Sequence, residues 1–113
     1  MKEPVPRSVL EELMQAHYRT FVKGVADLER GIIALGGDWH MDANAALIED
    51  GSEQKNNWGF NVYPDKTGDE AVEYDSLINI RPAQNNRTRE LQDPQLRAAV
   101  RTIVAKFVPD LGL

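Results

Sequence analysis

Runs of strand-like residues follow one another along this chain too closely for crossover helices to fit between them. They lie at 22–28, 32–36, 38–49, 57–63 and 73–81. Parallel neighbours need connections of a dozen residues or more, usually helical, so the spacing predicts an antiparallel meander. In 57–63, Trp58, Phe60 and Val62 alternate inward while Asn61 and Tyr63 point the other way. In 73–81, Tyr74, Ile78 and Ile80 share one face, and Asp75, Asn79 and Arg81 share the opposite one. The stretch before these is open to two readings. Phe21, Val25, Leu28, Ile32 and Leu35 keep a helical period, but Gly24 and Gly31 would each cost a helix interior about 1 kcal/mol. A strand at 22–28 turning through Glu29-Arg30-Gly31 into a strand at 32–36 is the favoured reading.

Helices flank the meander. Ser8 with Glu11 forms a capping-box pattern, and Leu10, Leu13, Met14, His17 and Phe21 follow at helical spacing. At the other end Asp93 reads as an N-cap and Pro94 as the first helical residue. Leu96, Val100, Ile103, Val104 and Phe107 make the apolar stripe, and Pro109 stops it. The expected fold is one α+β domain over 1–113: an extended lead-in at 1–7, a helix, a sheet of four to five strands and a helix. Both helices are expected to cover one face of the sheet. The segment 38–44 is read as extended, which would put His40, Asp42 and Asn44 on one face. Residues 45–49 would continue it, although ANAALIE also suits a short helix.

Charge narrows the function classes. The net charge is −5. Residues 38–75 hold ten acids against Lys55 and Lys66, whereas 81–113 hold six bases to three acids. Such a surround repels nucleic-acid phosphates, so nucleic acid is disfavoured as a partner. No apolar run reaches the ~18–20 residues needed to span a bilayer, and the start MKEPVPRS lacks a signal-peptide core. With no cysteine there is no disulfide or thiolate chemistry, and a reducing cytoplasm is the expected setting.

Three groupings could carry chemistry. Arg81, Gln84, Asn86, Arg87 and Arg89 concentrate forked guanidinium donors and amides in one loop, stiffened by Pro82 and free of acids. Such donors match carboxylate or phosphate oxygens in pairs; equally, they could fasten the loop to the acids of 38–75. His40 and Asp42 could act as a base and its orienting acid, or as two metal ligands, but no third ligand has a diagnostic spacing. Asn61, Tyr63, Asn79 and Arg81 would form a polar patch on an outer sheet face. No phosphate-cradling glycine loop, nucleophile elbow or nucleotide fingerprint is present, so no cofactor or metal is expected.

The segments GGDWHMDANAALIEDGSEQ, NNWGFNVYPD and YDSLINIRPAQNNRTR carry a resemblance. Together they resemble a bacterial family of small proteins that forms a domain of unknown function. Its pattern runs GGE-x-HADAE, LxEDGS, WGxNxYP and SLINIRPxQxNR, and the likeness covers 36–89 and the C-terminal helix. It implies the family's fold and a bacterial cytoplasmic setting, and no activity. Asp38, Met41 and Asn44 stand where the pattern has Glu, Ala and Glu, which weakens a metal role for that segment. The leading expectation is a binding module for an anionic small molecule or an acidic partner segment. In it, Arg81 and Arg87 make the charged contacts while Gln84, Asn61 and Asn79 orient the ligand. The rivals are a hydrolase or metal-assisted enzyme using His40 and Asp42, and a homodimer or larger assembly joined through Trp39, Trp58 or a strand edge.

Overall fold

The computed structural model describes residues 3–16 and 18–113, apart from the Asp110 side chain. His17, expected on the first helix stripe, lies outside them. In chain order the elements are α1 (Arg7–Ala16), β1 (Val22–Asp27), β2 (Ile32–Leu35), α2 (His40–Glu49), β3 (Asn57–Val62), β4 (Val72–Glu73) and α3 (Pro94–Phe107). The four strands form one antiparallel sheet in the order β2-β1-β3-β4. This is the α+β fold with an antiparallel sheet and a helix at either end that the spacing predicts, but it is not a simple meander: β2 lies outside β1, and α2 carries the chain across β1 to β3. No helix among the described residues is long and apolar enough to cross a membrane.

The hairpin β1–β2 forms because Asp27, at the end of β1, accepts the backbone N–H groups of Glu29 and Arg30 at 2.9 and 3.1 Å. Gly31 then takes the left-handed conformation (φ 65°) that closes the turn. Alternation along β1 and β3 sends Val22, Ala26, Trp58, Phe60 and Val62 to one face. There they share a core with Leu10 and Met14 of α1 and Val100, Val104 and Phe107 of α3. Gly24 is the gap in that row: a Cβ there would stand 2.5 Å from the Phe60 ring. Asp93 caps α3 by accepting Gln95 N–H at 2.8 Å, with Pro94 in the first turn. The Ser8–Glu11 capping box does not form, because α1 starts at Arg7, two residues earlier than a Ser8 cap would have it, and the Val9 and Leu10 N–H groups bond to the Pro6 carbonyl.

The other sheet face departs from expectation. Residues 40–49 are a helix and not a strand, so α2 covers β1 through Ala43 and Leu47, which pack on Val25. Asp42 accepts the Trp39 N–H at 3.0 Å and so caps the helix start. The predicted strand at 73–81 also stops early. Only Val72–Glu73 pairs with β3, and the chain then curls into 3-10 turns at Leu77–Asn79 and Pro82–Gln84. Ser76 starts the first turn by accepting Ile78 N–H at 3.2 Å. The curl rests on β3 because residue 59 is glycine: a Cβ there would lie 2.5 Å from Ser76 Cβ and 3.2 Å from Ile78. Both sheet faces are therefore covered, and all six residues of β3 are buried.

Candidate functional site

Where β4 ends, side chains take over its pairing. β4 meets β3 at Asn61 and Val62 only, which leaves the backbone groups of Gly59 and Asn57 facing outward on the same edge. The Asn79 amide fills the first gap: its Oδ1 accepts Gly59 N–H at 2.8 Å and its Nδ2 donates to the Gly59 carbonyl at 3.0 Å. This reproduces the reciprocal bonding of a strand neighbour. Arg81 fills the second. Its Nη2 donates to the Asn57 carbonyl, Nη1 to the Gln54 carbonyl at 2.8 Å, and Nε to the Ile78 carbonyl at 3.0 Å. The guanidinium also stacks 3.8 Å from the centroid of the Trp58 ring. Burial lowers the Arg81 pKa to about 10, still high enough to keep the group charged at neutral pH.

The rest of the loop is built around Asn86, which is 2% exposed. Its Nδ2 donates to the carbonyls of Asn79, Thr88 and Glu90 at 2.8–3.0 Å, and its Oδ1 accepts Gln92 N–H at 3.1 Å. Asn85 takes the left-handed conformation (φ 62°) that folds the loop back, so that Arg81 and Asn86 pair through their backbones. Gln84 bonds to the Lys55 carbonyl at 2.9 Å and to Arg81, and Arg89 pairs with Asp75 at 3.0 Å. Arg87 is exposed and has no hydrogen-bond or ion-pair partner among the described residues. Of the five loop residues read as a ligand cluster, four face the chain itself, mostly its carbonyls. Only Arg87 points its charge entirely to solvent.

The polar row read on one sheet face is divided in two. Asn79 and Arg81 serve the start of β3, whereas Asn61 and Tyr63 meet at its end, where both donate to Glu73 Oε1, at 2.8 and 3.2 Å. Lys23, Asn61 and Glu73 are register partners across three strands. His40, at the start of α2, packs above this row with Nε2 2.8 Å from the Phe60 carbonyl. A carbonyl only accepts, so that nitrogen carries the proton of the neutral ring. Burial pushes the His40 pKa down and Lys23 adds to the effect; the Phe60 carbonyl, the Asn61 amide and Asp75 oppose it. Lys23 is also lowered, chiefly by burial and then by Arg89, and burial with Glu73 raises Tyr63. Asp42 is exposed and shares no hydrogen bond with His40, because residues two apart on a helix point to different sides. Among the described residues no three His, Asp or Glu side chains come together in a way that could hold a metal. Lys23 and Glu73 escaped the sequence reading; the strand register alone brings them to the row.

A family model described as "Protein of unknown function (DUF5674)" matches residues 1–107. The chain belongs to this family. No curated protein and no solved structure matches it. In this DUF5674 domain a groove of about 750 Å³ runs along the outer side of β4 and is walled by Tyr74, Glu70, Glu90, Arg97 and Arg101. Arg101 is paired there with Asp69, and Arg97 covers the Tyr74 ring while donating to the Leu91 carbonyl.

The domain's apolar surface lies elsewhere. Its exposed large hydrophobic residues are Trp39, Met41, Ile48, Leu77 and Ile80, each between 43% and 65% accessible. Met41 and Ile48 lie seven apart on α2 and form a stripe beside Asn44. Asn44 bonds to Gln54 at 2.6 Å and Asn57 at 2.9 Å, the two residues whose carbonyls Arg81 holds. The stripe therefore faces the 77–81 turn, whose Ile78 is tucked against Ala43, Leu47 and Val25 while Leu77 and Ile80 stay outside. The alternation read as a strand at 73–81 hid this surface, and the helical reading of ANAALIE was the signal that could have found it.

Proposed function

We propose that this domain is a non-catalytic protein-docking module whose working surface is the outer face of α2 and the 77–80 turn. The observation that carries the reading is the gathering of Met41, Ile48, Leu77 and Ile80 on two touching elements, with Trp39 at the head of α2. Exposed apolar side chains concentrated on neighbouring elements mark interaction sites in soluble proteins. The scaffold beneath is rigid, because Asn79 and Arg81 bond the turn to β3 and Asn86 ties it to the rest of the loop, so docking would cost little ordering entropy. An anionic ligand at 81–89 would find Arg87 and the outer edge of Arg89, since the remaining donors hold the loop itself. Catalysis by His40 would require a ring that now braces α2 against β3 to let go of the Phe60 carbonyl. The lack of cysteine suits a reducing compartment such as the cytoplasm.

An isotope-labelled sample titrated in two arms tests this. An amphipathic helical peptide with a leucine stripe should shift the amide signals of 39–48 and 77–80. A panel of phosphate and dicarboxylates should leave 86–90 unmoved. Saturable shifts at 86–90 with the anions, and none on α2 with the peptide, would replace docking by anion binding.

A further inference from the structure

The docking face carries a second property, its charge. Residues 38–54 include five carboxylates, at Asp38, Asp42, Glu49, Asp50 and Glu53, and no lysine or arginine. The adjoining 75–80 segment adds Asp75 and no base. On α2, Asp42 and Glu49 border the Met41–Ile48 stripe on its solvent side, and the last turn of the helix holds no cation to balance its negative end. Arg30, Lys55 and Arg89 are paired with Asp50, Glu53 and Asp75, and the charged Arg81 guanidinium is turned inward onto the Gln54, Asn57 and Ile78 carbonyls and the Trp58 ring, while among the described residues no base pairs with Asp42 or Glu49. An apolar stripe edged in this way sits in a negative field.

Resting on the docking reading above, we infer that the occupant is an amphipathic segment of another protein, with leucine-type side chains on one side and lysine or arginine flanking them. Charge complementarity excludes the nearest rival, a second copy of this chain. A two-fold pairing through this face would bring Asp42 and Glu49 of one copy against the same acids of the other, in a protein of net charge −5. A basic flank meets Asp42 and Glu49 while its apolar side covers Met41, Ile48, Leu77 and Ile80. The pairing resembles a helix laid in a groove, with anchors every three or four residues and rim charges that select the partner.

Three synthetic helices sharing one leucine stripe, with lysine, glutamine or glutamate on the polar side, separate the alternatives in a binding titration with the whole chain. The lysine peptide should bind at least tenfold tighter than the glutamine peptide, and the glutamate peptide weakest. Asp42→Asn with Glu49→Gln should remove most of that preference. Leu77→Glu supplies the control: it adds a negative charge, so mere charge attraction would tighten binding, whereas seating on the stripe predicts at least a tenfold loss. Equal binding of all three peptides overturns the basic-partner inference and leaves docking intact. So does a dimer in sedimentation that Leu77→Glu disrupts. No peptide binding and no dimer would overturn docking itself.

Discussion

The 76–92 loop and the outer face of α2 invert the usual placement of polar and apolar residues. The loop is the chain's richest run of amides and guanidiniums, and Asn79 and Asn86 in it are more deeply buried than most of the leucines. The α2 face presents Trp39, Met41 and Ile48 to solvent while burying His40 and Asn44. Each inversion has the same cause. β3 is longer than the strand that pairs with it, and its free edge must be satisfied by something. Asparagine and arginine can supply backbone-like donors and acceptors there, and leucine cannot. Once polar groups are committed to the inside of that corner, apolar ones nearby are left outside. Residue type alone therefore misreports which side of the fold is in contact with the world.

Substitutions that act on the two regions differently can break the comparison. The largest effect is expected from Asn86→Ala, which strips the buried Asn79 carbonyl, the half-buried Thr88 and Glu90 carbonyls and the Gln92 amide of their partner; about 3–5 kcal/mol of stability should go, read by urea unfolding. Asn86→Asp, of nearly the same shape but without donors, should fall close behind. A loss under 1 kcal/mol in both would mean that the loop is held by other means. Next comes Gly59→Ala, whose new methyl must displace Ser76; a cost of about 1–3 kcal/mol is expected, with the 76–80 turn loosened in amide exchange. Arg81→Lys keeps the charge and loses the fork that spans Asn57, Gln54 and Ile78, so about 1–2 kcal/mol should be lost.

Two smaller effects sharpen the contrast. His40 is held below its unfolded pKa of about 6.5, so protonation favours the unfolded chain. Its contribution is intact above that pH and is lost as pH falls from about 6.5 towards the depressed folded value. His40→Gln should flatten the stability slope in that window; an unchanged slope would assign it to the carboxylates. Leu77→Glu, on the outer face, should alter stability by no more than about 0.5 kcal/mol, while Asn79→Leu two residues away should cost several times that.

How far the sequence could be read follows from the same physics. Asp93 and Pro94 announce α3 because a cap and a fixed φ act locally, and Gly31 announces the hairpin for a similar reason. The helix α2 was obscured because its inward side is His40, Ala43, Asn44 and Leu47, which gives almost no apolar period. The strand expected at 73–81 has true alternation as far as Glu73, after which Ser76 and Asn79 side chains compete for backbone groups and bend the chain. His40 and Asp42 fall together only on a period of two, which a helix does not keep. Arg81, Gln84, Asn86, Arg87 and Arg89 stand out in the sequence as a cluster of donors and amides. Whether Asn79, Arg81 and Gln84 face a ligand or their own chain depends on contacts twenty or more residues away, at Gln54, Lys55, Asn57 and Gly59, which local pattern cannot show.

The side-chain closure of β3 also sets an order of events during synthesis. The strand is complete by Val62, yet the residues that seal its outer rim, Asn79, Arg81 and the Asn86 that steadies them, emerge from the ribosome later. Until they arrive, a nascent or partly folded molecule displays bare amides along an apolar ribbon, a template on which a neighbouring chain can settle. The same ribbon is where an Asn79 variant should begin to clump.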